Sequence, residues 1–257
     1  MEIPGLKHFK TYFKEDTDKF ILIGGTATIL NLESIGLSRN RGTKDLDVVL
    51  VVDLLDINFI DKFMKYIELG GYETKQANGK PQYYRFENPK NTDFPKMIEI
   101  LSKKPDVFAS LNLATATKLT IEEEMISLSA LILDDEYYQF IIDNNALIDG
   151  IPVADMECLV ILKIRAYNDL KKKKEDGIPK IKSEDITKHK NDVFRLAQNF
   201  DLTTKIKCTG KMKEDIKLFK LNISNDPVIL SDLSVDGTVD GILDLIYNTF
   251  EVDSINN

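Results

Sequence analysis

Two stretches near the N-terminus decide the fold: ILIGGT at residues 21–26 and RGTKDLDVVLVV at residues 41–52. Each contains a short apolar run rich in β-branched residues, which is typical of a buried strand. The first run ends in Gly24 and Gly25, and residues 26–37 then show the apolar spacing of a helix. The order of strand, glycine turn, helix and strand predicts a sheet with a helix joining two of its strands.

The second stretch opens with two acidic residues. Side chains alternate between faces along a strand, so Asp45 and Asp47 point to one face and Leu46 points to the other. Two neighbouring carboxylates repel each other unless a cation lies between them. Magnesium suits this position, because it binds one or two carboxylates and completes its shell with water and substrate phosphates. The pair predicts a metal and nucleotide site, and the alternative is a solvated strand end.

The glycine turn offers a place for the phosphates of such a nucleotide. Glycine lets the backbone approach a ligand closely, and the free amides at a helix start attract anions. Thr26 adds a hydroxyl, either as a helix cap or as a phosphate contact. Taken alone, a glycine pair is usually a plain turn, but its combination with the acidic pair favours a nucleotide site.

This arrangement resembles the polymerase-beta-like nucleotidyltransferase superfamily, whose sites pair a Gly-Gly or Gly-Ser turn with a strand carrying Asp-x-Asp. The segment with Arg41, Thr43 and the two aspartates is more narrowly similar to the AbiEii-like abortive-infection nucleotidyltransferase toxins. The resemblance implies a third carboxylate on a neighbouring strand, which Glu99 in MIEIL at residues 97–101 matches. Burying an unpaired carboxylate in an apolar strand is costly without a metal or a cation. The alternative is that Glu99 faces water on a half-exposed strand.

A later helix also resembles this family. Residues 151–166, IPVADMECLVILKIRA, are similar to the helix that follows the family's core and carries a functional lysine, here Lys163. Helical spacing puts Lys163 on the apolar stripe, where it needs an anion, and puts Arg165 on the polar stripe, pointing outward. The alternative for Lys163 is a long side chain whose stem covers apolar surface.

The next helix carries KHKND at residues 188–192, where family members commonly show Lys-Asp-x-x-Asp. His189 replaces the first acid of that pattern, and Asp192 matches the last one. Asp192 is therefore the candidate partner of Lys163. Its spacing equally allows a surface ion pair with Lys188 or Arg195.

Composition limits the class of protein. The chain has 257 residues, 43% of them hydrophobic, which is enough for one large core or two modest ones. No apolar stretch approaches a membrane span, and the N-terminus lacks a basic region followed by an apolar one, so we expect a cytoplasmic protein without membrane contact. The two cysteines, Cys158 and Cys208, have no ligand-like spacing, and only two histidines are present. A zinc site and a Ser-His-Asp triad are not indicated.

The formal net charge is −8, whereas a domain that binds duplex nucleic acid is usually basic. The charge is uneven, because residues 171–174 are all lysine and the C-terminal part is acidic. Lysines at a helix C-terminus offset its dipole, which is the simplest interpretation of this run. The alternative is contact with the phosphates of an RNA acceptor.

The chain as a whole predicts an α+β protein with a nucleotidyltransferase core of mixed sheet and helices at residues 1–150. A helical C-terminal lobe at residues 151–257 follows, and it has to pack on the active site if Lys163 and Asp192 act there. Strands are predicted from Phe20 and at residues 46–52, 72–76, 82–87, 97–101, 127–129, 137–142 and 146–148, with a hairpin turn at 143–145. Helices are predicted at residues 6–15, 26–37, 58–69, 155–173, 183–200, 211–221 and 239–250.

The resemblance implies transfer of a nucleoside monophosphate from a nucleoside triphosphate to a hydroxyl on RNA, tRNA or protein, with Mg²⁺ or Mn²⁺ as cofactor. It also implies a toxin of a toxin-antitoxin or phage-defence pair, with a cognate antitoxin as partner. The implied metal ligands are Asp45, Asp47 and Glu99, which are also catalytic together with Lys163 and Asp192. The implied nucleotide contacts are Gly24, Gly25, Thr26, Arg41, Thr43 and Lys163.

Two alternatives stay open from the sequence. A small-molecule nucleotidyltransferase of the antibiotic-modifying type shares the Gly-Gly and Asp-x-Asp chemistry, and the negative net charge fits a cationic substrate. A nucleotide-binding or partner-binding module with the same fold but no turnover becomes attractive if Glu99 faces away from Asp45 and Asp47.

Overall fold

The computed structural model describes residues 3–37, 42–77, 80–101, 134–178 and 181–253. The chain forms two compact units, the first ending at Asp155 and the second beginning at Met156. The first unit carries the strands, and the second consists of helices and their connections. The predicted strand at residues 127–129 lies outside the described residues.

Seven strands of the first unit form one mixed sheet. They are β1 (Phe20–Ile23), β2 (Asp45–Leu50), β3 (Glu73–Ala77), β4 (Lys80–Glu87), β5 (Met97–Leu101), β6 (Asn145–Ile148) and β7 (Ile151–Ala154). Their order across the sheet is β3-β4-β5-β2-β1-β7-β6. β2 lies between β1, its antiparallel neighbour, and β5, its parallel neighbour. The sheet confirms the α+β class and puts the strand with the two aspartates at its centre.

The described helices of the first unit are α1 (Leu6–Tyr12), α2 (Gly24–Ser34), α3 (Ile57–Gly70) and α4 (Asp135–Asp143). α2 begins where β1 ends and contacts β1, β2 and β7. Aromatic residues join α1 to α3: the ring of Phe13 stacks on Phe63 at 5.6 Å, and Phe9 meets Tyr66 edge to face. All four rings are buried, so burial of large apolar surface holds these helices together.

The prediction of a strand at residues 137–142 was wrong, because this segment is α4. Asp134 caps the helix, its carboxylate accepting a hydrogen bond from the backbone N–H of Glu136 at 3.1 Å. The buried residues have the i, i+1, i+3, i+4 spacing of one helix face: Tyr137, Tyr138, Phe140 and Ile141. Their aromatic and β-branched side chains favour strands in isolation, and the helix period outweighs that preference here.

The predicted hairpin turn at residues 143–145 was also wrong. The hairpin instead joins β6 to β7 at Asp149 and Gly150, whose φ angles are 49° and 73°. Positive φ at both central residues is the pattern of a type I′ turn, for which Asp-Gly is a preferred sequence. Gly150, the last residue of the predicted core, therefore lies inside the first unit. The division between the two units falls after Asp155.

The second unit contains α5 (Met156–Glu175), α6 (Ser183–Ala197), α7 (Gly210–Asn225) and α8 (Val239–Thr249). All four overlap the predicted helices. α5 contacts both α6 and α7, and α6 contacts α8. In the described part of the chain, every helix is too short or too polar to cross a bilayer.

Candidate functional site

The register of three strands brings the predicted acids to one face of the sheet. Ile23 at the end of β1 pairs with Asp47 of β2, and Asp47 pairs with Glu99 of β5. Asp45 pairs with Met97, two residues before Glu99. Paired residues on neighbouring strands point to the same side of a sheet. The register thus confirms the expectation that Glu99 shares a face with Asp45 and Asp47.

The glycine turn packs directly against the carboxylate of Asp47. Gly24 has a φ of 68°, a conformation that side chains other than glycine's rarely adopt. A Cβ atom at Gly24 would lie 1.9 Å from Oδ2 of Asp47, and one at Gly25 would lie 2.8 Å from Oγ1 of Thr43. Glycine at position 24 is therefore favoured by its backbone conformation and by the close carboxylate, whereas a side chain at position 25 would have to displace the hydroxyl of Thr43. This turn, Asp45, Asp47 and Thr43 form what we call the acidic turn site.

Thr26 ties the first turn of α2 to β2. Its hydroxyl donates a hydrogen bond to the backbone carbonyl of Asp45 at 2.8 Å, and its side chain is fully buried. Among the described residues the structure shows no helix cap at this position; the hydroxyl of Thr26 fixes the position of α2 relative to Asp45. The phosphate contact of Thr26 stays a prediction.

The start of α2 is a further candidate contact for an anion. The N-cap position is Ile23, no described side chain caps the helix there, and no acidic residue lies in its first turn. The first amides of a helix need partners and carry partial positive charge. This helix start lies next to Asp47, so it could receive the oxygens of an anion held at the acidic turn site.

Glu99 is bound by an arginine that the sequence analysis did not identify. β4 runs antiparallel to β5, and Arg85 of β4 pairs with Glu99. The Nε atom of Arg85 donates to Oε1 of Glu99 at 2.5 Å, and Nη2 contacts the same oxygen. The two side chains are 23% and 14% exposed. In this structure Arg85 supplies the cation that a half-buried Glu99 needs.

The donors at the acidic turn site fit a magnesium ion in part. The carboxylates of Asp45 and Asp47 are hard oxygen ligands, and Mg²⁺ usually takes one or two of them. The missing side chain at Gly24 lets the carboxylate of Asp47 pack directly against the backbone of the turn. Among the described residues, however, no three His, Cys, Asp or Glu side chains are arranged to hold a metal. Asp45 and Asp47 would therefore be the ligands, while Glu99 is engaged by Arg85.

Lys163 and Asp192 form a buried ion pair in the second unit. The Nζ atom of Lys163 donates to Oδ2 of Asp192 at 2.8 Å, and the two side chains are 6% and 0% exposed. Lys163 lies on the packed side of α5, as the helical spacing predicts. The other carboxylate oxygen of Asp192 lies 3.5 Å from a guanidinium nitrogen of Arg195. Asp192 thus contacts both Lys163 and Arg195, two of the partners that the sequence predicts for it.

Arg165 lies on the more exposed stripe of α5, as predicted, and 36% of its side chain is exposed. Its Nη1 atom nevertheless contacts both carboxylate oxygens of Asp215 of α7, at 3.1 and 3.2 Å. Asp215 is only 6% exposed. Because α5 packs against α6 and α7, part of its polar stripe is covered by a second helix. Arg165 therefore has a structural partner that a single helix pattern cannot reveal.

His189, which stands where the family pattern has its first acid, is also buried. Its Nδ1 atom is buried and has no hydrogen-bond partner among the described residues. Burial, together with the positive charges of Lys163 and Lys188, lowers the pKa of His189 to about 3. The imidazole is neutral at pH 7 beside the ion pair of Lys163 and Asp192.

The remaining predicted residue, Arg41, lies outside the described residues. The chain matches no protein-family model, and it has no significant similarity to curated proteins or to solved structures. The functional proposal therefore depends on the residues and contacts described above.

Proposed function

We propose that the chain is a metal-dependent nucleotidyltransferase that moves a nucleoside monophosphate from a nucleoside triphosphate to a hydroxyl acceptor. The observation that carries this proposal is the placement of Asp47 between the glycine turn and Glu99. At Asp47 the start of a helix, which can bind phosphate, lies next to carboxylates, which can bind a divalent cation. The polymerase-beta-like resemblance supports the same assignment.

In this proposal Asp45 and Asp47 hold Mg²⁺ or Mn²⁺ together with the triphosphate. The metal, when bound, stabilises charge on the attacking and leaving oxygens of an in-line displacement. The first amides of α2 bind phosphate oxygens, and glycine at position 24 lets the carboxylate of Asp47 lie against this helix start. An acceptor hydroxyl oxygen forms a bond to the α-phosphorus, the bond to the bridging oxygen breaks, and pyrophosphate leaves with that electron pair.

Glu99 helps to remove the proton from the acceptor hydroxyl. This role requires its carboxylate to leave Arg85, because the guanidinium occupies Oε1 of Glu99. The functional roles that the resemblance implies for Lys163 and Asp192 stay predictions. So do an RNA, tRNA or protein acceptor, a cognate antitoxin, and a role in a toxin-antitoxin or phage-defence pair.

The contact between Arg85 and Glu99 favours a second candidate, a nucleotide-binding module without turnover. A module of this kind would use Asp45, Asp47 and the glycine turn to bind a metal and a triphosphate, and Glu99 would stay paired with Arg85. It would show metal-dependent triphosphate binding and no transfer. The two candidates therefore differ in a single measurable step.

The test is incubation of the purified chain with Mg²⁺, bulk RNA or cell lysate, and each nucleoside triphosphate labelled in turn at the α-phosphate. The proposal predicts stable labelling of an acceptor by at least one nucleotide. The matched control is the Asp45→Asn, Asp47→Asn double variant, which should leave every acceptor unlabelled while keeping the wild-type melting temperature within a few degrees. Triphosphate binding without labelling would support the module instead.

A further inference from the structure

Arg85, Glu99 and Asp47 lie side by side in one row across the sheet. Arg85 pairs with Glu99 on one side of β5, and Asp47 pairs with Glu99 on the other. The guanidinium makes two contacts to the same oxygen of Glu99. Arg85 therefore lies two strands from Asp45 and Asp47, with Glu99 on the strand between them.

A guanidinium and a divalent cation compete for the same carboxylate. While Arg85 holds Oε1 of Glu99, that oxygen is a poor metal ligand. The charge of Arg85 also repels a second cation at close range, and both side chains are mostly shielded from water, which weakens screening. Both effects lower the affinity of the site for a metal.

We propose that Arg85 is a resident counter-ion of Glu99 that competes with the divalent cation and so sets the metal concentration at which the site fills. The inference rests on the proposed function, because it takes Asp45 and Asp47 as metal ligands. It assigns to Arg85 a regulatory role at that site. In the metal-free protein Arg85 keeps Glu99 neutralised, and Glu99 can add its carboxylate to a metal held by Asp45 and Asp47 only when it releases Arg85.

The experiment is calorimetric titration of the full chain with Mn²⁺ alone, without nucleotide. Arg85→Gln removes the competing charge and should tighten Mn²⁺ binding about tenfold relative to the wild type, a change that corresponds to about 1.4 kcal/mol. Arg85→Lys keeps the charge but loses the two-pronged geometry, so it should give a smaller gain. In a Glu99→Gln background, Arg85→Gln should give a clearly smaller gain, because the contested carboxylate is gone and only the repulsion by the Arg85 charge is relieved.

Unchanged or weaker Mn²⁺ binding in folded Arg85→Gln would overturn the inference and leave the proposed function standing. An equal gain in Mn²⁺ affinity in the Glu99→Gln background would also overturn the inference, because the gain would then come from removing a positive charge and not from freeing Glu99. If Arg85→Gln does not fold, Arg85→Lys decides alone: tighter binding supports the inference, and unchanged binding overturns it. Wild-type binding that survives in the Asp45→Asn, Asp47→Asn variant, or no binding at all, would refute the metal site itself and the inference with it.

Discussion

Gly24→Ala is the substitution that most sharply separates backbone strain from damage to the acidic turn site. The new Cβ would lie 1.9 Å from Oδ2 of Asp47, whereas ordinary contact begins near about 3.5 Å. The carboxylate must therefore retreat by about 1.6 Å, the difference between these two distances. The backbone at φ 68° adds about 1–2 kcal/mol of strain for a residue with a side chain.

Gly36→Ala is the matched control. Gly36 has a φ of 80°, and a Cβ there would meet nothing within 4 Å. Gly36→Ala introduces a comparable backbone strain without touching the acidic turn site. We therefore expect it to lower the melting temperature by roughly 2–8 °C. Gly24→Ala should lose more than this, because the contact with Asp47 adds to the strain.

The two variants should differ most in function. A displacement of about 1 Å in a reacting group can cost on the order of a hundredfold in rate. We therefore expect Gly24→Ala to lose about a hundredfold or more in transfer, and Gly36→Ala to stay within about threefold of the wild type. Thermal melting and the transfer assay on both variants give the comparison. Equal melting temperatures and equal activities in the two would refute the claim that the Asp47 carboxylate requires glycine at position 24.

Three further predictions follow from the contacts of single residues. Asp47→Asn should lower the transfer rate by about a hundredfold or more, because a charged ligand is lost where charge develops; a folded variant with wild-type rate would contradict this. Lys163→Met should lower the free energy of unfolding, measured in urea, by about 3–5 kcal/mol, since the buried Asp192 loses its main partner. The double variant Lys163→Met, Asp192→Leu should recover most of that loss. Equal losses in the single and double variants would argue against a stabilising role of the ion pair. Between pH 6.5 and about 3, the unfolded chain binds a proton at His189 that the folded chain does not, so this group makes stability fall as the pH falls. His189→Gln should flatten that fall in melting curves recorded across the range, and an unchanged slope would count against the buried neutral imidazole.

The sequence predicts well where one strong local pattern acts alone. β1, α2, β2 and β5 follow from apolar runs and from the glycine turn, and alternation along β2 correctly puts Asp45 and Asp47 on one face. Helical spacing likewise puts Lys163 on the packed side of α5. Each of these inferences needs only the period of one element.

The sequence fails where the answer depends on a partner far along the chain. Arg85 meets Glu99 through the register of β4 and β5, and no local pattern fixes a register between two strands. Arg165 meets Asp215 because α5 is covered on a second side by α7. Thr26 has a buried carbonyl within reach only once β2 lies beside α2. In α4, aromatic residues suggested a strand although their spacing fits a helix.

The most direct test of the central claim is calorimetric titration of a nucleoside triphosphate into the chain with and without Mg²⁺. We expect Mg²⁺ to strengthen triphosphate binding in the wild-type protein, and we expect this gain to disappear in the Asp45→Asn, Asp47→Asn double variant. Melting curves must show that the double variant is folded. Metal-dependent triphosphate affinity that is the same in the wild type and in the folded double variant would contradict the assignment of Asp45 and Asp47 as the metal and nucleotide site.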